Sequence, residues 1–324
     1  MSGRATAVAC ANIALAKYWG KSDEALNLPA VPSVSVTLDA LVTETEVAVD
    51  PSLAADALVL NGAPQEGAAV AKVSDFLDLL HGGVARPFAK VTSVNRFPSS
   101  SGLASSASGF AALAAAAARA YGLPRTDAEL SALARRGSAS AARSIFGGFV
   151  ELPAGEPGDA SLAAHPLHGA DWWDVRVVIA MVTRAPKDVA SRDGMRRTTK
   201  TSPYWAAWLD CAPRYAREVR EAVARRDLQA TGEAMEASTC AMHASAWAAV
   251  PAVRYIRGVT LDVLDRVEAL RRAGVGAWAT MDAGPHVKVL CAAADAPRVA
   301  EALQAGGGVV DLRVAKPGPG IVET

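Results

Sequence analysis

The segment that most limits how this chain of 324 residues can fold is an alanine-rich run behind a serine-rich loop. It extends from Phe97 to Gly122 and reads "FPSSSGLASSASGFAALAAAAARAYG". Alanine is the strongest helix former, and its small side chain lets a helix lie close against a sheet. We therefore predict a helix that begins at Ser105 and is stopped by Gly122 and Pro124. It is too short and too alanine-rich to span a membrane.

The loop before this helix has the features of an anion site. Serine hydroxyls and backbone amides at a helix N-terminus, together with the helix dipole, favour phosphate binding. Gly102 would let the backbone approach a phosphate closely, although the Gly-Lys-Ser ending of a P-loop is absent. The alternative is a well-capped helix preceded by a polar loop. The hydroxyl donors that the loop and helix offer are Ser99, Ser100, Ser101, Ser105 and Ser106.

The rest of the chain alternates strand and helix patterns and predicts an α+β fold. "SVSVTL" and "ETEVAVD" alternate at period two, as half-buried strands do. Thr126 and Glu129 form a capping box for a helix that ends near Gly137. A stretch rich in proline, glycine and alanine, residues 152–174, indicates a boundary. We therefore predict two domains, residues 1–170 and 171–324.

Composition bounds the function. Lys+Arg and Asp+Glu both number 33, so no basic excess favours nucleic acid or an anionic membrane, and any phosphate site must be local. The four cysteines, without a C-x-x-C pair, predict buried free thiols rather than a disulfide framework or a zinc site. The N-terminus shows no signal-peptide pattern. We expect a soluble cytoplasmic protein.

Three constellations could carry chemistry. "KYWGK" places Lys17 and Lys21 around an aromatic pair, which suits a diphosphate or carboxylate; solvated lysines at a strand end are the alternative. "GSASAAR" offers serines and then Arg143, whose planar fork suits a carboxylate; an N-cap with a surface arginine is the alternative. Asp282 ends an apolar strand and is expected to face a cleft, unless it only closes an Asx-type turn.

An ordered set of segments resembles one known family. "P-x-x-x-G-L-A-S-S-A" resembles the ATP-binding motif of the galactokinase, homoserine kinase, mevalonate kinase and phosphomevalonate kinase superfamily, and it matches the diphosphomevalonate decarboxylase branch closely. Further segments match that branch in family order. They are "ANIALAKYWGKSDEALNLP" (Ala11 to Pro29), "ARRGSASAARSIFGGFV" (Ala134 to Val150), "APKDVASRDGM" (Ala185 to Met195), "MHASAW" (Met242 to Trp247) and "ATMDAGPHVKVL" (Ala279 to Leu290).

The resemblance implies a fold and a reaction. The fold would be the two-lobed one of that superfamily, with an N-terminal half like domain 2 of ribosomal protein S5, a ferredoxin-like C-terminal half and a cleft between them. The reaction would be ATP- and Mg²⁺-dependent decarboxylation of (R)-5-diphosphomevalonate to isopentenyl diphosphate, with release of ADP, phosphate and CO₂. A homodimer is implied as well. The alternatives are a 5-phosphomevalonate decarboxylase, a mevalonate 3-kinase and a non-catalytic metabolite sensor.

The resemblance also implies roles for residues. Asp282 would be the catalytic aspartate, Arg143 would hold the substrate's C1 carboxylate, and Lys17 would lie near the reacting carboxylate. The Mg²⁺ ligands are not assigned by the sequence. The remaining substrate-binding residues would be Tyr18, Trp19, Gly20, Lys21, Ser138, Ala139, Ser140, Ser191, Arg192 and, more weakly because it could be a solvated helix lysine, Lys72; the ATP-binding residues would be Pro98, Ser101, Gly102, Leu103, Ser105 and Ser106.

Four positions depart from the family pattern. Ala139 stands where glycine is common, His286 where asparagine is common, and Val31 and Pro32 where asparagine and serine are common. A positive φ at Ala139 would cost about 1 kcal/mol and shift the loop. These departures leave the number of phosphates on the substrate open.

Overall fold

The computed structural model describes residues 3–97, 105–185 and 187–323. Its strands are β1 (Arg4–Ala16), β2 (Lys21–Asp23), β3 (Leu28–Pro29), β4 (Ser33–Val49), β5 (Ala57–Leu60), β6 (Ala63–Gln65), β7 (Ala89–Asn95), β8 (Phe149–Leu152), β9 (His165–His168), β10 (Val175–Met181), β11 (Ala277–Thr280), β12 (Val287–Ala292), β13 (Asp311–Ala315) and β14 (Val322–Glu323). Its α-helices are α1 (Ala68–Leu80), α2 (Ser105–Ala120), α3 (Asp127–Gly137), α4 (Ser191–Thr201), α5 (Trp205–Arg225), α6 (Leu228–Trp247), α7 (Gly258–Arg272) and α8 (Ala296–Ala305), and two 3₁₀ helices cover Ala139–Ile145 and Ala293–Asp295.

The first sheet has the strand order β14-β1-β4-β7-β5-β6, with β8 added to β4 and β9 added to β8. Its pairs are antiparallel except for β5 with β7. Strand β4 is 17 residues long, pairing with β8 near its start and with β7 towards its end. The two period-two segments seen in the sequence are therefore one strand, because two different neighbours on the same side continue its hydrogen bonding.

The second sheet is antiparallel, in the order β11-β12-β10-β13. Helices α7 and α8 cover one face with apolar side chains such as Val263 and Val299. The other face packs on the first sheet and on α5 and α6, where Ile13, Val177 and Met235 share one core. Because the two sheets bury a common core, the strands of both halves end near one another.

Helix α2 begins and ends where the sequence predicts. Its alanines, including Ala111, Ala115 and Ala116, are buried against β1 and β4. Larger side chains would hold the helix too far from the sheet for this close contact. The capping box of Thr126 and Glu129 is present at the start of α3, and that helix ends at Gly137 as predicted.

The cysteines, the helix lengths and the domain division bear on further expectations from the sequence. The four cysteines are free, as predicted, but Cys211 is half-buried and Cys240 is exposed, because each lies off the buried face of its helix. Within the described ranges, no helix is long and apolar enough to cross a bilayer. The domain division at 170/171 stays a prediction; β10 opens the second sheet just after it, whereas β14 at the chain end returns to pair with β1.

Candidate active site

A cavity of about 430 Å³ lies where five elements meet. These are the end of β1, the start of α2, the 3₁₀ helix Ala139–Ile145, the start of α4 and the turn after β11. Fourteen of the residues predicted from the sequence line it together: Lys17, Tyr18, Trp19, Lys21, Lys72, Ser105, Ser106, Ser138, Ala139, Ser140, Arg143, Ser191, Arg192 and Asp282. Residues more than 260 positions apart in the chain are thus brought to one site.

The cavity is strongly basic in a chain whose formal net charge is zero. Among the described residues, Asp282 is the one acidic side chain in its lining. The cations that line it are Lys17, Lys21, Lys72, Arg143, Lys187 and Arg192. Such local excess charge concentrates anionic ligands. Because the chain as a whole is neutral, a phosphate site had to be a local cluster of cations of this kind.

Arg143 is buried and faces the cavity, so the alternative of a surface arginine is wrong. Its Nε donates to Asn12 Oδ1 at 3.2 Å and to Ser35 Oγ at 3.0 Å, and its Nη1 donates to Ser33 Oγ at 2.7 Å. Burial lowers the pKa of Arg143 to about 10, against the opposing field of Asp282. These neutral partners hold the guanidinium in place without cancelling its charge, so it is preorganised for an anion.

Asp282 lies between two lysines. Lys17 Nζ is 2.8 Å from its Oδ1 and Lys288 Nζ is 3.0 Å from its Oδ2, while the aspartate side chain keeps 24% of its surface exposed. Burial would raise the pKa of Asp282, but the two lysines outweigh it and hold that pKa well below its ordinary value. Burial also lowers the pKa of Lys17 to about 8. Asp282 is therefore an ionised, oriented acceptor of a hydrogen bond.

The opposite end of the cavity suits a phosphate. Lys21 Nζ donates to Asn27 Oδ1, and burial followed by repulsion from Arg192 lowers its pKa to about 8. The Tyr18 hydroxyl is buried and finds no hydrogen-bond partner among the described residues. Lys72 is exposed, and its Nζ lies 4.5 Å from the centre of the Phe110 ring.

A second cavity of about 350 Å³ adjoins this end. It shares Lys21, Lys72 and Arg192 with the first and adds Arg136 and Arg196, so its five cations outnumber its two carboxylates, Asp75 and the Glu24 that pairs with Arg196. The basic surface therefore continues beyond the first cavity, which gives room for a multiply charged group.

The serine side of the cavity is formed by α2 and the 3₁₀ helix. Ser106 Oγ and Ser138 Oγ are 3.3 Å apart, as are Ser138 Oγ and Ser140 Oγ. Ser105 begins α2, as predicted. Four predicted ATP-binding residues lie outside the described residues: Pro98, Ser101, Gly102 and Leu103.

Two predicted site residues contribute to the packing of the fold. Gly20 does not line the cavity; its φ is +93°, and a β-carbon there would lie 2.1 Å from the Trp205 ring, so a turn and close packing require the glycine. Trp19 lines the cavity but is also a core residue, packed with Val31 and Trp208. Val31, where the family commonly has asparagine, therefore serves as a core residue here.

The departures at Ala139 and His286 are also accommodated. Ala139 does not adopt a positive φ, so alanine costs nothing at the start of its 3₁₀ helix and the expected shift of the loop has no cause. His286 is buried, and its Nδ1 accepts the Val182 N–H at 3.2 Å.

Sequence reasoning missed several residues of the site. Asn12 orients Arg143 and donates to Ser144 Oγ at 2.8 Å; a buried amide in an apolar strand was the available signal. Lys187 lines the cavity and donates to Ser191 Oγ at 2.7 Å and to Ala283 O at 3.2 Å. Lys288, a lone lysine in the apolar "HVKVLCA", carried the same kind of signal.

Fold and site together define the class of protein: an α+β enzyme that binds a small, multiply anionic substrate in a basic cleft between two sheets. A model of the "Diphosphomevalonate decarboxylase-like N-terminal domain" matches residues 9–163, and one of the "Mevalonate 5-diphosphate decarboxylase C-terminal domain" matches residues 177–308. The chain belongs to the diphosphomevalonate decarboxylase family. This confirms the family and the kinase-superfamily fold predicted from the sequence.

Individual relatives agree over nearly the whole length. The diphosphomevalonate decarboxylase of Aspergillus fumigatus is 35% identical over 326 aligned residues, covering 93% of this chain and 80% of the relative. The crystal structure of mevalonate diphosphate decarboxylase from Staphylococcus aureus is 36% identical with a TM-score of 0.95, covering 100% of this chain and 98% of the other. The Enterococcus faecalis enzyme is 39% identical with a TM-score of 0.92, covering 100% and 99%.

Proposed function

We propose that this chain converts (R)-5-diphosphomevalonate and ATP to isopentenyl diphosphate, ADP, phosphate and CO₂. The observation that carries the proposal is that one cavity holds the uncancelled cation of Arg143, the ionised Asp282 and a separate basic end around Lys21. These three features match the carboxylate, the 3-hydroxyl and the diphosphate of that substrate. A structural relative, 39% identical with a TM-score of 0.93, was solved "in complex with MVAPP, AMPPCP and Magnesium".

The first step is phosphoryl transfer to the tertiary 3-hydroxyl. Asp282 accepts the hydrogen bond of that hydroxyl and aims its oxygen at the γ-phosphorus of ATP. Because the lysines make this carboxylate a very weak base, the proton leaves the hydroxyl only as the new O–P bond forms. Ser105, Ser106 and the amides at the start of α2 would hold the phosphates, so positioning and charge stabilisation supply the catalysis.

The second step releases phosphate and CO₂. The C3–O bond breaks and its electron pair leaves with the phosphate, while the C1–C2 pair becomes the C2=C3 double bond. Arg143 holds the C1 carboxylate in place for this fragmentation, and Lys17 and Arg143 balance the charge of the departing groups. No electron sink from another cofactor is needed.

The residues present also suit Mg²⁺. Magnesium prefers oxygen ligands and commonly uses substrate phosphates with few protein groups. The hydroxyls of Ser105 and Ser106 supply oxygens, whereas the two lysines that contact Asp282 repel a further cation from its carboxylate. Among the described residues, no group of three or more His, Cys, Asp or Glu could form a protein-only metal cage. Bound with the nucleotide, Mg²⁺ would neutralise developing charge on the phosphates.

The function is tested by incubating the protein and ATP-Mg²⁺ with mevalonate, its 5-phosphate or its 5-diphosphate. We expect ADP, CO₂ and alkene with the diphosphate. CO₂ only from the 5-phosphate would identify a 5-phosphomevalonate decarboxylase. ADP without CO₂ would identify a 3-kinase, and binding of a substrate without any turnover would favour the non-catalytic sensor. Each of these three results contradicts the proposal.

Assembly and location belong to the same proposal. We propose a cytoplasmic homodimer of chains divided at 170/171. Free cysteines suit a reducing compartment.

The proposed dimer rests on three exposed apolar side chains. The exposed fractions are 57% for Tyr204, 47% for Trp247 and 69% for Val250. The Val250 N–H donates to Thr201 Oγ1, close to Tyr204 in the chain, so this apolar area suits a second copy. Light scattering of the protein and of Val250→Asp would test the assembly: a wild-type monomer would contradict it.

A further inference from the structure

Lys288 is a charged residue in the middle of a buried sheet. It lies in β12, in register with Thr280 of β11 and Ile179 of β10, and has no exposed surface. Its neighbours Val287 and Val289 are equally buried. Burying an ammonium group in this way is costly unless a partner charge compensates for it.

The partner is the reactive carboxylate of the site. Lys288 Nζ is 3.0 Å from Asp282 Oδ2, while Lys17 Nζ is 2.8 Å from Oδ1 and 2.9 Å from the Ala14 carbonyl. Lys17 lines the cavity, but Lys288 does not. One lysine therefore contacts Asp282 from the substrate side and the other from behind the cavity wall.

We propose that Lys288 is a positioning residue for the reaction: from behind the wall it fixes the rotation of the Asp282 carboxylate and keeps it ionised, while Lys17 is shared with the substrate. The inference rests on the proposed function. A carboxylate held through one oxygen can rotate about its side-chain bond. Ion pairs on two different oxygens from opposite sides fix its plane, and preorganisation of this kind is worth most where proton and phosphoryl transfer must coincide.

The charges around Asp282 set the sign of the pH effect. Those that face it are Lys17 after β1, Lys288 on β12, Arg143 on the 3₁₀ helix, Lys187 before α4 and His243 on α6. Burial followed by Lys17 lowers the pKa of His243 to about 4, so the histidine is neutral at physiological pH. Lys288 lowers the pKa of Asp282, and it adds to the burial that brings the pKa of Lys17 to about 8.

Removing the charge of Lys288 should therefore raise both pKa values. Activity requires an ionised Asp282, so in Lys288→Met the loss of kcat in acid should begin at a higher pH than in the wild type. Activity requires a charged Lys17, so the alkaline loss of kcat should move to higher pH than in the wild type. At neutral pH we expect kcat to fall by about 10²-fold, the scale of a misplaced reacting group, with smaller changes in both KM values.

Lys288→Gln separates charge from hydrogen bonding. Glutamine can still donate to Oδ2 but carries no charge. It should therefore recover part of kcat at neutral pH, while the acid and alkaline limbs of the pH profile of kcat stay displaced. Val289→Ala, on the same strand and facing the other core, is the control, since it removes packing but no charge. It should lower the unfolding temperature and leave both limbs unchanged. If Val289→Ala moves the limbs, or if folded Lys288→Met and Lys288→Gln keep wild-type limbs, the inference is wrong.

A measurement without substrate separates this inference from the function. The depressed pKa of Asp282 gives stability that is present above its unfolded pKa and is lost as pH falls through the folded pKa. Acid unfolding should therefore begin at higher pH in Lys288→Met, and Asp282→Asn should lack this contribution. Coincident wild-type and Lys288→Met curves overturn the inference even if the wild type releases CO₂. A wild type that releases no CO₂ contradicts the function, whatever the curves.

Discussion

At the scale of single residues, Arg143 is informative because it is charged, buried and held by neutral oxygens. The oxygens of Asn12, Ser33 and Ser35 fix its direction, and leaving such a cation without an anion is unfavourable. The substrate carboxylate completes the site. Binding energy is thus directed to the group that must leave as CO₂.

Replacing Arg143 with alanine should separate the two chemical steps. Asp282 and the phosphate side of the cavity remain, so part of the phosphoryl transfer should survive. Decarboxylation should fall by about 10²–10³-fold, as when one preorganised transition-state donor is lost. ADP and CO₂ are measured together. Equal loss of both products would show that Arg143 serves only binding or structure.

Asp282→Asn should lower ADP and CO₂ release together and to the same extent, since phosphoryl transfer comes first. Loss of the hydrogen-bond acceptor typically costs about 10²–10⁴-fold in rate. The substitution also leaves Lys17 and Lys288 without their shared counter-ion, so the protein should be less stable. Activity is therefore compared below the unfolding transition of the variant. Normal turnover there would refute the mechanism.

Sequence reasoning found the residues that touch the proposed substrate better than those that hold them. Arg143 and Asp282 belong to the recognisable motifs "GSASAAR" and "ATMDAGPHVKVL", and the structure places both in the cavity. Asn12 and Lys187 were missed because their partners Arg143 and Ala283 lie far away in the chain. Lys288 was missed although Asp282 is only six residues before it, because the turn between β11 and β12 has to fold back to bring the two side chains together. A polar residue in an apolar strand signals a buried interaction, but the partner emerges only from tertiary structure.

At the scale of elements, α2 was predictable because local signals agree. Alanine propensity, serine residues at its start and Gly122 beyond its end all favour the same boundaries. The length of β4 was not predictable, since it depends on β8 and β7 taking up successive parts of one edge. Local patterns indicate strand type, whereas strand length here is set by neighbours from elsewhere in the chain.

The close approach of α2 to the sheet predicts the effect of enlarging its alanines. Ala115 is fully buried, so Ala115→Leu should reduce the free energy of unfolding by about 1–3 kcal/mol through overpacking. Ala71→Leu, on the exposed side of α1, makes the same chemical change and should stay within about 0.5 kcal/mol of the wild type. Chemical denaturation measures both. Equal effects would mean that α2 is not tightly packed.

At the scale of the whole molecule, the end of the chain joins the two halves. After β13 in the second sheet, the Lys316 carbonyl accepts the Asp39 N–H at 3.1 Å, and the Gly318 N–H donates to Thr37 O at 2.8 Å. The Ile321 N–H donates to Ile145 O at 3.0 Å, at the end of the 3₁₀ helix that carries Arg143. The domain boundary predicted at 170/171 assigns this segment to the second half. Its contacts with the first half join residues far apart in the chain, so local sequence patterns do not reveal them.

Gly318→Ala should therefore disturb the site from outside it. A β-carbon at Gly318 would lie 2.6 Å from the Asp39 backbone nitrogen, and rigid backbone cannot yield as a side chain can. We expect about 1–3 kcal/mol of lost stability. The displaced segment should also loosen the 3₁₀ helix, so KM for the isoprenoid substrate should rise more than KM for ATP.

Gly169→Ala is the matched control, because an added β-carbon there meets nothing within 4 Å and its φ lies outside the left-handed region. It should leave unfolding and both KM values unchanged. Thermal unfolding and steady-state kinetics of the two variants test the argument. If Gly318→Ala loses stability with both KM values unchanged, the end of the chain supports the fold alone. If only KM for the isoprenoid substrate rises beyond that of Gly169→Ala, the segment acts on the site through the helix of Arg143, since no residue after Ala283 lines the cavity among those described.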